Sequence, residues 1–207
     1  MTKPQYLNVL PLCCFPPIHW VVIALRANTI IDVHEHYVKQ TYRNRFDLLG
    51  VNGKITLTIP VQGQKGVKTP FHEIQIADSS WRKLHLTTIR SAYGRAAFFE
   101  HYIDELEALF QSEQTKLQSF NLDVLNWIVR CGIPMNIVLS TTHIESAAND
   151  FRNAFEPSSD WPQMPSYPQV FSDRFAFVQN LSVLDLLMNK GSGSLEYLQR
   201  INTSQNS

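Results

Sequence analysis

Two short apolar runs and one helical segment open the chain. Residues 7–14 predict a buried strand that ends at Phe15-Pro16-Pro17, and residues 18–25 have the apolar pattern of a helix. A proline close to the helix start is tolerated because the N–H that it lacks has no intrahelical partner there. Residues 29–33 predict a second strand. Strand, helix and strand within about 30 residues predict a β-α-β-like unit with parallel strands.

Asn52-Gly53 lies between two apolar runs, which is a strong signal for a β-hairpin. The predicted strands are residues 46–50 and 55–61, and the second alternates apolar and polar positions. Residues 62–70 are rich in Gly and Lys and predict an exposed loop. The alternation resumes at residues 72–78, which predicts a further strand.

Apolar spacings of three and four residues then predict helices at residues 80–93, 98–110 and 120–131. A strand is expected at residues 135–139, followed by a long, proline-rich covering loop at 141–169. Ser182 and Asp185 resemble a capping box at the start of a last helix that ends at Gly191.

Together these elements predict an α/β fold with a single domain over residues 1–200. It contains a mixed β-sheet, the N-terminal β-α-β-like unit, the hairpin and a cluster of helices, and residues 201–207 are expected to form a frayed tail. A chain of 207 residues with 44% hydrophobic side chains is large enough for one such core.

Charge and cysteine content narrow the function classes. The 18 basic and 18 acidic side chains sum to zero, which argues against a general nucleic-acid partner. Three cysteines, Cys13, Cys14 and Cys131, lack metal-ligand spacing and are expected to be buried reduced thiols. The apolar residues 18–25 are too few for a membrane span and do not form a signal peptide, so we expect a cytoplasmic protein.

The densest group of polar residues lies at residues 32–45, directly after the second predicted strand. Loops that follow strands commonly carry ligand-binding residues in α/β proteins. Arg43 and Arg45 are candidates to hold a phosphate or carboxylate, with Lys39 as a point charge and Asn44 for orientation. A solvated charged connection is the alternative.

Several histidines are weaker candidates. His34 and His36 have His-x-His spacing, but no third ligand accompanies them, so no metal site is assigned. His85 lies one turn after Trp81, where it either lines a pocket or packs as a core histidine, and Tyr93 is a similar candidate.

Two further groups of polar residues are candidates. Asp185 is explained by helix capping. Residues 140–143, Ser-Thr-Thr-His, could hold a phosphate through backbone N–H groups if a helix began there. No glycine-rich nucleotide motif and no G-x-S-x-G elbow occurs in the chain, so no cofactor is specified.

The order of several blocks resembles the WbqC-like protein family, in the shorter branch familiar from Bacteroidetes. The blocks cover most of the chain and are Phe15-Pro16-Pro17-Ile18-His19-Trp20, Asp32 through Arg45, Leu57-Thr58-Ile59-Pro60-Val61, Trp81-Arg82-Lys83-Leu84-His85, Ala92-Tyr93, Tyr167-Pro168-Gln169-Val170-Phe171 and Asn180 through Leu187. Pro11-Leu12 and His19-Trp20 depart from the Gln-Pro and Gly-Tyr of other members. The resemblance implies an association with bacterial surface-polysaccharide gene clusters, including those for O-antigen.

Three functional hypotheses remain open from the sequence. The first is a transferase that acts on an activated sugar or small anionic metabolite, such as a nucleotide sugar, and moves an acyl or aminoacyl group. Its general base would be His85 or Glu35, and Asp32 is a further catalytic candidate. Substrate contacts would come from Lys39, Arg43, Asn44, Arg45, Trp81 and Tyr93. The second is a nucleotidyl-transfer-like enzyme, and the third is a non-catalytic binding or assembly protein.

Overall fold

The computed structural model describes residues 8–26, 28–62, 68–156 and 161–204 of the chain. Within them the strands are β1 (Asn8–Pro11), β2 (Thr29–Asp32), β3 (Arg45–Gly50), β4 (Gly53–Thr58), β5 (Ile137–Leu139) and β6 (Asn149–Asp150). The helices are α1 (Ile18–Ala24), α2 (Ser80–Tyr93), α3 (Phe99–Gln111), α4 (Leu117–Arg130), α5 (Val183–Lys190) and α6 (Ser194–Ser204).

A parallel sheet with strand order β5-β2-β1-β6 organises the amino-terminal half. β1 pairs with β2 in register from Asn8 opposite Thr29 to Pro11 opposite Asp32, and α1 connects them. The predicted β-α-β unit is therefore confirmed. Every residue of α1 is buried, because the helix packs between the sheet and the carboxyl-terminal helices α5 and α6. All four strands are parallel, so their carboxyl ends meet at one edge of the sheet.

β3 and β4 form a separate antiparallel hairpin that closes with Gly50 opposite Gly53. Gly53 has a φ of 105°, a left-handed backbone conformation that favours glycine, so the Asn-Gly prediction is confirmed. The α/β single-domain prediction also holds. Its parallel and antiparallel strand pairs lie in two sheets.

Three local predictions differ from the structure. The strand expected at residues 72–78 is wrong, because a 3-10 turn at Phe71–Glu73 precedes two isolated bridges at Gln75 and Ile76. The alternation there instead reflects side chains that bury against the core from a loop. The predicted loop at residues 141–169 contains β6, and α6 follows the helix that was expected to be the last. This helix, α6, runs to Ser204. Residues 63–67, which belong to the predicted loop at 62–70, lie outside the described residues.

An aromatic cluster fills the space between the two sheets and the helices. Phe15 contacts the rings of Phe46, Phe110 and Trp127, with centroids 4.8 to 6.0 Å apart. Such rings each bury a large apolar area and add about 0.5 to 1.5 kcal/mol per well-oriented pair. Phe15 lies in the turn that the proline pair predicted, so this turn also anchors the core.

The cysteines are free thiols, as predicted. Cys13 and Cys14 are fully buried, and Cys131 is partly buried. Burial raises the pKa of the Cys131 thiol to about 12. None of the helices in the described ranges combines the length and the apolar composition needed to cross a membrane.

Candidate functional site

Asp32 is the centre of a polar cluster at the carboxyl edge of the parallel sheet. It is the last residue of β2, and its side chain is fully buried. Its carboxylate accepts hydrogen bonds from the Ser140 hydroxyl at 3.2 Å and from the backbone N–H of Ile144 at 3.2 Å. Arg152 Nη1 donates a third at 2.7 Å. Residues that follow β5 and β6 therefore converge on the end of β2.

His143 contacts the same carboxylate and also reaches solvent. Its Nδ1 atom lies 3.1 Å from Asp32 Oδ2, while 49% of its side chain is exposed. A carboxylate at this distance favours the tautomer that carries its proton on Nδ1, which leaves the lone pair of Nε2 available. An imidazole held next to a buried aspartate is an arrangement suited to general acid–base catalysis.

Arg152 joins the outer strand β6 to β2 across the end of β1. Its Nε and Nη2 atoms donate to Asp150, and Nη1 donates to Asp32 and to the carbonyl of Ile144. The hydrogen bond from Arg152 lowers the pKa of Asp150. Because each guanidinium nitrogen has an acceptor within the cluster, Arg152 holds the cluster together.

His36 lies beside His143 on the exposed surface of this edge. The centroids of the two rings are 6.5 Å apart, and the planes meet at 64°. Backbone contacts fix the loop that carries His36, which forms a bridge with Pro70, while the Phe71 N–H donates to the Glu35 carbonyl at 2.9 Å. We call His36 and His143 the histidine pair.

Glu35 and Arg43, both predicted site residues, form a buried ion pair below the surface. Arg43 Nε donates to Glu35 Oε1 at 2.9 Å, and Nη2 donates to Oε2. Arg43 also donates to the Thr41 hydroxyl and to the backbone carbonyl of Arg152. Burial raises the pKa of Glu35, an effect that the hydrogen bond from Arg43 partly offsets. The anion-binding role of Arg43 stays a prediction, and its guanidinium here has internal acceptors.

The other predicted anion-binding residues lie around this pair. Asn44 Nδ2 donates to the carbonyl of Ile59 at 2.8 Å and so joins the loop to the end of the hairpin. Arg45 is partly buried, and its Nε atom is buried without a hydrogen-bond partner among the described residues. Lys39 is exposed. Lys39 is therefore better placed than Arg43 to contact a ligand.

His85 and Trp81 lie in the aromatic core, away from the sheet edge. His85 is 2% exposed, and its ring packs against Trp81 and Phe46 with centroids 5.0 and 5.6 Å away. Burial lowers the pKa of His85 to about 4, so the imidazole is neutral at pH 7. These contacts match the core-histidine interpretation.

Tyr93 belongs to a second buried network, centred on Asp185. The Asp185 carboxylate accepts hydrogen bonds from the hydroxyls of Tyr93 and Tyr167 and from Gln169 Nε2. Burial raises the pKa of Asp185. The capping-box prediction is confirmed for Ser182, whose hydroxyl accepts from the Leu184 N–H at the start of α5. It is wrong for Asp185, because the Ser182 N–H donates to the carbonyl of Asp47 and not to the Asp185 carboxylate.

The sequence did not indicate a chemical role for three residues of the site, His143, Asp150 and Arg152. Residues 140–143 were expected to bind phosphate only if a helix began there, and none does in the described structure. The available signal was the position of these polar residues after strands, but β6 has only two residues, Asn149 and Asp150, and neither is apolar.

Across residues 8–26, 28–62, 68–156 and 161–204, no group of three or more His, Cys, Asp or Glu side chains is arranged to hold a metal ion. A surface cavity of about 440 Å³ is lined by residues 76–79, Arg82 and residues 111–115, and none of the predicted site residues lines it. The exposed part of the candidate site consists of the side chains of His36 and His143 at the sheet edge.

Comparison with known proteins gives one match. Neither a curated protein nor a solved structure matches the chain. The model of the WbqC-like protein family matches residues 15–156, which include β2, the loop at 32–45, the hairpin and the residues that follow β5 and β6. These residues contain the whole Asp32 cluster. The chain belongs to the WbqC-like protein family.

Proposed function

We propose that this protein is an enzyme of bacterial surface-polysaccharide metabolism that acts on an activated sugar or a related small anionic metabolite. The reaction is transfer of an acyl or aminoacyl group to an amino sugar. The observation that carries the proposal is the contact between the buried carboxylate of Asp32 and the half-exposed imidazole of His143. Family membership supports the metabolic setting through the resemblance described above.

His143 is the general base in this proposal. Its Nε2 atom takes the proton from the acceptor amine while the amine nitrogen attacks the acyl carbonyl and forms the new bond. The resulting imidazolium is stabilised by Asp32, and its Nε2 proton passes to the leaving group when the bond from the carbonyl carbon breaks. Positioned acid–base catalysis of this kind contributes about 10² to 10⁴ in rate.

The predicted residues take defined roles around His143. Asp32 is a positioning residue, and the buried pair of Glu35 and Arg43 supports the loop. Lys39, which is exposed, and Arg45, which is partly buried, hold the anionic part of the substrate, because both are less enclosed than Arg43. His143 thus takes the role of general base that the sequence suggested for His85 or Glu35.

One observation favours the nucleotidyl-transfer alternative. Counted along the described chain, β5, β2, β1 and β6 are the third, second, first and fourth strands of the parallel sheet. This is the order of four adjacent strands in a dinucleotide-binding sheet. Against it, His19 stacks on Trp161 while Ser140 bonds Asp32, and β2 lies between the strands that precede them. With strands about 4.8 Å apart, those strands are about 10 Å apart, so the two residues belong to different surroundings.

Calorimetric titration tests the binding part of the proposal. Nucleotide sugars and acyl donors are titrated into the wild type, Lys39→Ala, Arg45→Ala and the control Lys83→Ala, which changes an exposed lysine on α2. We expect saturable binding by the wild type, weaker binding by the first two variants and no change in the control. Absence of binding by the wild type, or equal affinity in all four proteins, would refute the proposal.

A further inference from the structure

β5 leaves apolar side chains exposed on both faces of the parallel sheet. It is an edge strand, since β2 is its one neighbour among the described strands. Val138 and Leu139 are 42% and 41% exposed, and successive side chains of a strand point to opposite faces. Both faces of an all-parallel sheet are normally covered by other parts of the protein. β5 therefore has the incomplete cover that is typical of an interaction surface.

The backbone of β5 also has hydrogen-bonding groups that face away from the sheet. The N–H of Ser140 donates to the carbonyl of Ile31 in β2. Because the backbone groups of successive residues in a strand point to opposite sides, those of Ile137 and Leu139 point away from β2. Within the described ranges, no strand pairs with β5 on that side. This edge can therefore accept one more strand.

The two edges of the parallel sheet differ in charge. At β6, Asp150 is exposed and pairs with Arg152, and charged side chains at an edge hinder its association with other strands. Residues 131–142, which contain all of β5, have no charged side chain. A charge at the centre of a symmetric strand pair would face the same charge on the other copy. The uncharged edge at β5 is therefore suited to a second copy of this chain.

We propose that β5 pairs with β5 of a second copy of this chain, antiparallel and about a two-fold axis at Val138. In this register Val138 lies opposite Val138 of the partner subunit, and Ile137 lies opposite the partner subunit's Leu139. The outward backbone groups of Ile137 and Leu139 form hydrogen bonds between the subunits, and apolar side chains meet on both faces. The two four-stranded sheets thereby become one continuous sheet.

The size of the contact predicts a reversible dimer. β5 has three residues, so the strand pair buries less than the roughly 800 Å² per partner that is usual for a stable interface. Interfaces of this smaller class are weak, and the dimer should therefore depend on protein concentration. Ser140, which donates to Asp32, follows β5 directly, so the joined edges lie next to the candidate site of each subunit.

Sedimentation velocity of the full chain at about 10 to 500 µM tests the proposal. The proteins are the wild type, Val138→Lys, Val138→Glu and the control Leu84→Lys, which changes an apolar residue on α2 that is 63% exposed. We expect a concentration-dependent dimer of the wild type and of the control. Each Val138 variant should dimerise at least about tenfold more weakly, because like charges then face each other across the axis. An equal mixture of the two Val138 variants should recover the dimer, since opposite charges then meet.

Three results would overturn the proposal. The first is a wild type that stays monomeric throughout the concentration range, which would mean that β5 does not take a second copy. The second is a dimer of Val138→Lys as strong as that of the wild type, which would locate the interface elsewhere. The third is a mixture that does not recover the dimer although both variants match the wild type in urea unfolding, which would exclude a two-fold axis at Val138.

Discussion

Arg43 donates to Glu35 through two nitrogens, and both side chains are almost completely buried beneath the candidate site. The sequence presented Arg43 as a free anion-binding group. The structure places it in an internal ion pair that also supports the backbone of Arg152. Removal of either partner should therefore lower the free energy of unfolding.

We predict that Arg43→Ala destabilises the protein by about 3 to 5 kcal/mol, because it leaves the Glu35 carboxylate buried without its partner. Urea unfolding measures the change. The matched control is Arg130→Ala, which breaks an exposed ion pair with Glu105 and should cost no more than about 1 kcal/mol. Equal losses in the two variants would show that the buried pair is not structurally important.

Asp185 should make the stability of the protein fall as the pH rises. Burial raises its pKa in the folded state above the unfolded value, so its stability contribution is complete below the unfolded pKa. That contribution is lost as the pH rises through the folded pKa.

Urea unfolding at pH 4 to 8 tests this prediction for Asp185. The free energy of unfolding of the wild type, relative to Asp185→Asn, should fall across that range. The exposed Asp104→Asn serves as the control and should follow the wild type. A pH-independent difference between the wild type and Asp185→Asn would contradict the prediction.

His85 should have the opposite effect on the pH dependence of stability. Burial lowers its pKa from 6.5 to about 4, so its contribution to stability is present above pH 6.5 and is lost as the pH falls towards 4. The loss is roughly 3 kcal/mol at 1.36 kcal/mol for each pKa unit. His85→Phe keeps an aromatic ring against Trp81 and Phe46, and should lose less stability than the wild type between pH 7 and 4. Identical losses in the two proteins would refute this.

Asp32 should determine the tautomer of His143. Nitrogen-15 NMR at pH 8.5 should find the proton of the wild-type imidazole on Nδ1, facing Asp32. In Asp32→Asn the preference should move towards Nε2, while the exposed variant Asp173→Asn should leave it unchanged. An Nε2 proton in the wild type would show that Asp32 does not orient this histidine.

The parts of the fold that follow from local pattern could be predicted from the sequence. Alternation, helical spacing and the Asn-Gly turn specify β3, β4 and most helices, because each depends on neighbouring residues alone. The position of Asp32 after an apolar strand also marked the correct edge of the sheet.

The partners of Asp32 could not be found in this way. His143 and Arg152 meet Asp32 only because β5 and β6 take their places on opposite sides of the β1–β2 pair. Nothing in the local pattern specifies that order. β6 has no apolar residue, so the pattern does not predict a strand there. The same limit applies to Asp185, whose partners Tyr93 and Tyr167 are distant in sequence.

The turnover number of His143→Gln tests the central claim most directly. Acyl and aminoacyl transfer to amino sugars is measured with the wild type, His143→Gln and the control His101→Gln under identical conditions. The proposal predicts a loss of about 10² to 10⁴ in kcat for His143→Gln and a wild-type rate for His101→Gln. A His143→Gln variant that turns over at the wild-type rate would contradict it.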